Sequence, residues 1–271
     1  MSVKKEPSGR RSVQIEIEVP GTPEEVWQAI ATGPGISSWL VPTEIEQRDG
    51  KPAAVKMTFG PGMEAASDVT AWKPPHMWAS QAPGWVPGSP PIANEWSVEA
   101  RGGGKCVVRI VQSLFASTDD WDFQLEGGSQ AWPGFLRTLR IYLTHFRGQR
   151  STAMKWVVPV PGTEGEAWEK VTAALGLKNV SVGQRWTAAA GVPAFSGVVE
   201  YYTENPYDAL VRLDKGVAAL GTFNIGGQTM VALAFFLYGD QAPTIAARET
   251  PLWDAWFQKH FPMPMRAGKG D

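Results

Sequence analysis

Cysteine is nearly absent. Cys106 is the only one among 271 residues, which rules out an internal disulfide and any metal cage built on several thiolates, so it reads as a small buried hydrophobe. Histidine is almost as scarce: His76, His145 and His260 stand apart, with no carboxylate or second histidine at ligand spacing on a shared element. No metal site is expected and no cofactor is implied. Charged residues make up only 19% of the chain, against a usual ~25%. Lysine and arginine total 25 and aspartate and glutamate 27, a net charge of -2, which offers no basic field to a phosphate backbone and excludes nucleic acid as an expected partner. No serine sits in a nucleophile elbow, and Gly102-Gly-Gly-Lys105 lacks the spacing of a phosphate loop. Met1 to Arg11 is charged and lacks the apolar stretch of a signal peptide, so a cytoplasmic location is expected, with residues 1–11 disordered.

One stretch has no charge at all. Residues 216–239 are as long as a membrane span, yet Asn224, Gly226, Gly227 and Gln228 break them with turn chemistry, and Met230 to Tyr238 suits a buried strand. A hairpin is expected there, without membrane insertion.

What the chain does have is a repeat. Val19-Pro-Gly-Thr22-Pro-Glu-Glu25-Val-Trp27 recurs as Val160-Pro-Gly-Thr163-Glu-Gly-Glu166-Ala-Trp168. Each copy carries a Thr-x-x-Glu capping box, which starts a helix. The order is kept by Trp72-Lys-Pro-Pro75 and Tyr202-Thr-Glu-Asn-Pro206, by the turns at Gly103 and Gly226, and by the helix ends at His145 and His260. Trp27 and His145 lie 118 positions apart, Trp168 and His260 only 92, so the second copy is trimmed in its loops. Residues 12–147 and 153–262 are therefore expected to be two copies of one fold, followed by a tail over 263–271.

In the first copy, alternation of Val13, Ile15, Ile17 and Val19 with polar residues predicts a strand over 12–19. A helix over 22–31, a helical turn near 34–39, strands around 53–59, 66–72, 76–81, 93–100 and 105–115, and a helix over 130–146 follow. Sequential antiparallel strands bury their apolar face by wrapping the last helix, an α+β solution. Trp132, Phe135, Leu136, Leu139, Tyr142, Leu143 and Phe146 supply that helix face.

Together Val19 to Trp27, Ile36-Ser-Ser-Trp39-Leu-Val-Pro-Thr43, Trp72-Lys-Pro-Pro-His76 and Gly128-Ser-Gln-Ala-Trp132 through Leu143 resemble the START-like helix-grip superfamily, or SRPBCC. Within it they are most similar to the branch named for the activator of the heat-shock chaperone ATPase. The resemblance covers the first half of the chain well and the second half weakly. It implies a curved antiparallel sheet gripping a long C-terminal helix, often around a cavity, and no single chemistry, since such folds serve lipid carriers, cyclases and co-chaperones alike.

The expected function is binding of a small apolar or aromatic molecule between sheet and helix of the first copy, without catalysis. Strand parity and the resemblance place Trp39, Met57, Phe59, Trp78, Trp96, Val108, Ile110, Gln112, Trp132, Leu136 and Leu139 around it, with Gln112 the one polar group pointing inward. For each aromatic, plain core packing is favoured over ligand contact by about two to one. Asp119, Asp120 and Asp122 read as loop residues ahead of the helix rather than as paired catalytic carboxylates. Ala82 to Pro91, with Trp85, is a long loop that would serve as a lid. The alternatives are a co-chaperone-like module with a protein partner, as the branch resemblance implies, or a cyclase- or hydrolase-like enzyme for which Gln112, Tyr142 and Asp120 are the only candidate groups. The cavity is expected in the first copy because the second fills its strands with Phe223, Met230, Leu233, Phe235, Phe236 and Leu237.

Overall fold

Both capping boxes form. Glu25 N–H donates to Thr22 Oγ1 at 3.3 Å while Thr22 N–H donates to Glu25 Oε2 at 2.8 Å, and Thr163 and Glu166 repeat the arrangement at the same distances. Each box satisfies two backbone donors that a helix start leaves without intrahelical partners. A computed structural model describes residues 3–59, 64–84 and 88–262, and the chain divides into Met1–Arg150 and Ser151–Asp271.

The first unit opens with β1 (Lys4–Lys5) and β2 (Arg10–Pro20), then α1 (Pro23–Ile30) and α2 (Gly33–Ser37). Six strands follow, β3 (Thr43–Arg48), β4 (Lys51–Thr58), β5 (Glu64–Lys73), β6 (Met77–Ala82), β7 (Ile92–Arg101) and β8 (Lys105–Phe115), and then α3 (Asp122–His145). All pair antiparallel in the order β1-β2-β8-β7-β6-β5-β4-β3. Leu125, Leu136, Leu139, Tyr142 and Leu143 turn the buried face of α3 to the sheet, over β2 and the near part of β8.

The second unit runs β9 (Ser151–Val160), α4 (Glu164–Leu175), β10 (Arg185–Thr187), β11 (Ser196–Glu204), β12 (Tyr207–Leu213), β13 (Gly216–Ile225), β14 (Gln228–Tyr238) and α5 (Ala242–His260). Its sheet order, β10-β11-β12-β13-β14-β9, is that of β4-β5-β6-β7-β8-β2. Among the described residues the second unit has no counterpart of β1, α2 or β3, and β10 is a three-residue stub. Matched positions pack alike: Trp27 meets Trp72 at 5.3 Å between ring centroids, and Trp168 meets Tyr202 at 5.3 Å. The matched Pro74–Pro75 and Asn205–Pro206 bonds are both cis. The uncharged stretch is the hairpin β13–β14, turned by Gly226 and Gly227 at φ of 58° and 83°, values that type I′ turns require and glycine adopts freely. Among the described residues no helix is long and apolar enough to cross a membrane.

Two local expectations give way. Residues 1–11 were expected to be disordered, whereas Lys4 and Lys5 pair with Ser12 and Arg11 and Arg11 donates to Asp122 and Asp119 at 2.7 Å each. That ion-pair cluster supplies the tether that apolar content could not signal. α3 starts at Asp122 rather than near 130, because tertiary contact overrides the poor helix propensity of Gly127, Gly128 and Pro133; Asp119–Trp121 is a 3-10 turn and Asp122 lies inside the helix. At the end of α5, burial, then Lys259 and Lys170, push the His260 pKa below the usual value, and the ring stacks on Trp256. The tail over 263–271 lies outside the described residues.

Candidate binding site in the first unit

Register carries side-chain direction across the sheet, since directly paired residues share a face. Trp72 pairs with Trp78, Trp78 with Trp96, Trp96 with Ile110 and Ile110 with Ile15. A bulge between Val69 and Ala71 keeps Trp72 on this face. Three neighbouring strands thus place an indole at the same level of the inner face. Trp78 and Trp96 stack at 5.8 Å and 7°, while Trp39, from the segment after α2, and Trp132, from α3, meet Trp96 edge-on at 6.3 and 5.2 Å. Aromatic pairs of this kind add ~0.5–1.5 kcal/mol each beyond the area they bury.

Two indoles have a second task. Trp39 Nε1 donates to the Ala29 carbonyl at 2.9 Å and Trp78 Nε1 to that of Ile30 at 3.0 Å, capping carbonyls at the C-terminal end of α1. Those N–H groups are committed to the scaffold.

Exposure sorts the expected site residues. Val108, Ile110 and Leu139 are 0% exposed and Leu136 is 1% exposed; atoms without accessible area border no space a water would fill, so these four are packed core. Trp39, Trp78 and Trp96 are buried too. Met57, Phe59, Trp132 and Phe135 are half-buried. Met57 continues the inner-face row of Val55 on β4, on the side of the sheet away from the strands that α3 covers. The half-buried aromatics of α3 are Trp132 and its edge-on neighbour Phe135 at 5.6 Å.

Gln112 is not the single inward polar group. Ser80 pairs with Asn94 and Asn94 with Gln112, one row along from the indoles. Gln112 Nε2 donates to Asn94 Oδ1 at 2.7 Å, and Oε1 of the buried Gln112 has no partner among the described residues. Gly128 faces this amide: a Cβ there would stand 1.8 Å from Oε1. The adjoining Gln124 is buried and accepts from Ser89 Oγ at 3.3 Å. The signal for Ser80 and Asn94 lay in extending parity along their own strands, since 80 and 94 share parity with Trp78 and Trp96. Nothing in the sequence announced the role of Gly128. Trp85, in the expected lid, lies outside the described residues.

The groups considered for catalysis do not converge. Asp120 accepts from Thr118 at an exposed site, whereas Tyr142, its phenol pKa raised chiefly by burial, donates to the Gln149 carbonyl at 3.2 Å. The length of α3 separates them by ~30 Å, at 1.5 Å per residue. Asp119 and Asp122 are held by Lys5 and Arg11. Cys106 is buried and its thiol, in contact with the Gly21 carbonyl at 3.3 Å, is pushed up in pKa by burial. No group of three metal-binding side chains occurs among the described residues.

The second unit packs Phe195, Phe235 and Trp253 in mutual ring contact. One feature there was not foreseen. Glu249 of α5 is 5% exposed; its Oε1 accepts from Arg248 at 2.8 Å, while its Oε2 and the Nε1 atoms of Trp253 and Trp256 lack partners among the described residues.

Residues 10–144 match the family described as polyketide cyclase / dehydrase and lipid transport. No curated protein matches the chain in sequence. Among solved structures the chain is similar to the di-domain ARO/CYC BexL from the BE-7585A biosynthetic pathway, at 12% identity over 92% of this chain and 98% of that one, with a TM-score of 0.47. It is also similar to DynU16 from the dynemicin biosynthetic locus, at 17% identity over 90% and 95% of the two chains, TM-score 0.41. The Aha1 dimer from Colwellia psychrerythraea is 22% identical over 49% of this chain and 95% of its own, TM-score 0.38. At such identities and TM-scores the likeness bears on neither substrate nor reaction.

Proposed function

Given that the chain belongs to the START-like helix-grip superfamily, with its first unit in the stretch that matches the polyketide cyclase / dehydrase and lipid transport family, we propose that this unit binds a small apolar or aromatic molecule. The observation that carries the reading is the half-buried set Met57, Phe59, Trp132 and Phe135 beside the buried indoles Trp39, Trp78 and Trp96. A ligand would slide between those lips and rest on the Trp96 edge, with Val108, Ile110, Leu136 and Leu139 as the packed floor behind. Pockets of this kind take most of their affinity from apolar and aromatic walls and their orientation from a few polar groups. Binding without chemistry is favoured because Ser80, Asn94 and Gln112, the polar side chains of the inner row, are all uncharged, and because Tyr142 and Asp120 sit at opposite ends of α3.

Equilibrium dialysis of the full chain against 2-methoxynaphthalene tests this. Trp132→Ala is expected to weaken binding about tenfold or more, the loss of one aromatic contact of ~1.4 kcal/mol or above. Trp156→Ala, a half-buried tryptophan of the second unit, leaves affinity within twofold. Equal losses in both, or no binding by the parent protein, would contradict the reading; a protein-binding module would show the latter together with a co-purifying partner.

A further inference from the structure

Pro133 divides α3 into two limbs. Proline has no N–H, so the Ser129 carbonyl lacks its helical donor, and the ring crowds the preceding turn. Gly127 and Gly128, one turn earlier, lower the cost of leaving helical geometry. The limbs are held by different forces. Beyond the proline Leu136, Leu139, Ile141, Tyr142 and Leu143 are buried; before it the buried residues are Asp122, Gln124, Leu125, Gly128 and Ser129, with one large apolar side chain among them. A segment that buries so little apolar area opens locally at a lower free energy than the whole domain unfolds.

The start of this limb is latched by charge. Arg11 donates from Nη1 to Asp122 Oδ1 and from Nη2 to Asp119 Oδ1, both at 2.7 Å, and from Nε to the Ala116 carbonyl at 3.3 Å. Lys5 Nζ reaches the Oδ2 atoms, at 2.6 Å on Asp119 and 3.3 Å on Asp122. The Arg11 side chain is 8% exposed and that of Asp122 12%, so removal of one partner leaves the other charge buried and poorly compensated. Beneath the limb lies the candidate site. Trp132, its last residue, stands edge-on to Trp96 at 5.2 Å, where a ligand would rest, and Gly128 covers the Gln112 amide. Gln124 accepts from Ser89, ahead of β7, at 3.3 Å, a second and uncharged tie.

We propose that residues 122–132 form a lid hinged at Pro133 and latched through Asp122 and the neighbouring Asp119 to Arg11 and Lys5, and that its opening admits the ligand to Trp96. The inference rests on the reading of the first unit as a binding site and adds how that site is reached. Residues 116–121, between β8 and α3, supply the slack for the movement. The N-terminal residues Lys5 and Arg11 then control entry without touching the ligand.

The test reads hydrogen exchange residue by residue in the full chain and compares amides 126–132, bonded within the lid, with amides 137–143 beyond the hinge. Protection in the lid is expected to be at least about tenfold lower, through an opening that low urea does not promote. Asp122→Ala removes the buried latch and should speed lid exchange about tenfold or more, with amides 137–143 following only the change in global stability. Pro133→Ala restores a donor to the Ser129 carbonyl and should slow lid exchange by about tenfold or more. Equal protection of the two limbs in the parent protein overturns the lid, and so does a Pro133→Ala variant whose lid exchanges as before; both results hold even where Asp122→Ala does not fold. Stopped-flow quenching of tryptophan fluorescence by 2-methoxynaphthalene supplies the second readout, with association faster in Asp122→Ala and slower in Pro133→Ala. Association rates that stay with the parent while lid exchange moves would show a segment that opens without gating the site, and overturn the proposal. No binding by the parent protein overturns the function and the lid's task with it, whereas uniform exchange alongside binding overturns the lid alone.

Discussion

Gly128→Ala is the substitution for which the structure gives a sign opposite to helix propensity. In an exposed helix interior the change would stabilise by ~1 kcal/mol. At 128 the new methyl would stand 1.8 Å from Gln112 Oε1, 3.0 Å from Cδ and 3.6 Å from Nε2, so the amide must leave its place. Moving it breaks the 2.7 Å bond to Asn94, worth ~0.5–1.5 kcal/mol, and crowds a buried site at ~1–3 kcal/mol. Set against the propensity gain, the expected net loss is ~1–3 kcal/mol. The same change made on Gln112→Ala meets no obstacle and should stabilise by ~1 kcal/mol. The double-mutant cycle then yields a coupling of ~2–4 kcal/mol between residues 112 and 128. Urea denaturation of the four proteins reads it out as midpoint shifts. Stabilisation by Gly128→Ala in the parent background, or additive effects across the cycle, would refute the placement of the Gln112 amide against α3.

Two further outcomes follow from charge. Lys5 and then Arg11 hold the Asp119 carboxyl below its ordinary pKa, so its contribution is complete above the unfolded value of ~4 and is lost as pH falls through the lower folded value; thermal unfolding should show Asp119→Asn less stable than the parent at pH 7 and equal to it in strong acid, and a difference that grows on acidification would contradict the tether. Glu249→Met removes a buried carboxylate whose partner Arg248 is 69% exposed and free to rehydrate, so it should raise the urea midpoint of the second unit, by ~1–3 kcal/mol; a loss of that size would mean Glu249 has a partner that this account omits.

Local chemistry made the fold legible. The capping boxes at Thr22 and Thr163, the period of two from Val13 to Val19 and the glycines at 226 and 227 each act within a few residues, and all of them form the element their pattern predicts. The start of α3 was hidden because Gly127, Gly128 and Pro133 disfavour a helix that only packing against β2 and the Arg11–Asp122 pair sustains. The candidate site was read only in part: parity turned Trp96 inward and the resemblance supplied Trp39, yet parity within one strand is silent on register between strands. The row of Ser80, Asn94 and Gln112 exists only once β6, β7 and β8 are aligned. Exposure was invisible for the same reason, and so Val108, Ile110, Leu136 and Leu139, grouped in the sequence with the lips, belong to the core behind them.

The central claim is that an aromatic ligand enters the first unit beside Trp132. Thirteen tryptophans each contribute an indole N–H signal to a two-dimensional nitrogen–proton NMR spectrum, and titration with 2-methoxynaphthalene reports on every one at once. The account predicts the largest saturable shifts at Trp132 and, through the ring current, at Trp96, with little change at Trp168, Trp253 and Trp256 of the second unit. Shifts concentrated on Trp253 and Trp256, whose buried N–H groups lack partners among the described residues, would move the binding site to the second unit and contradict it.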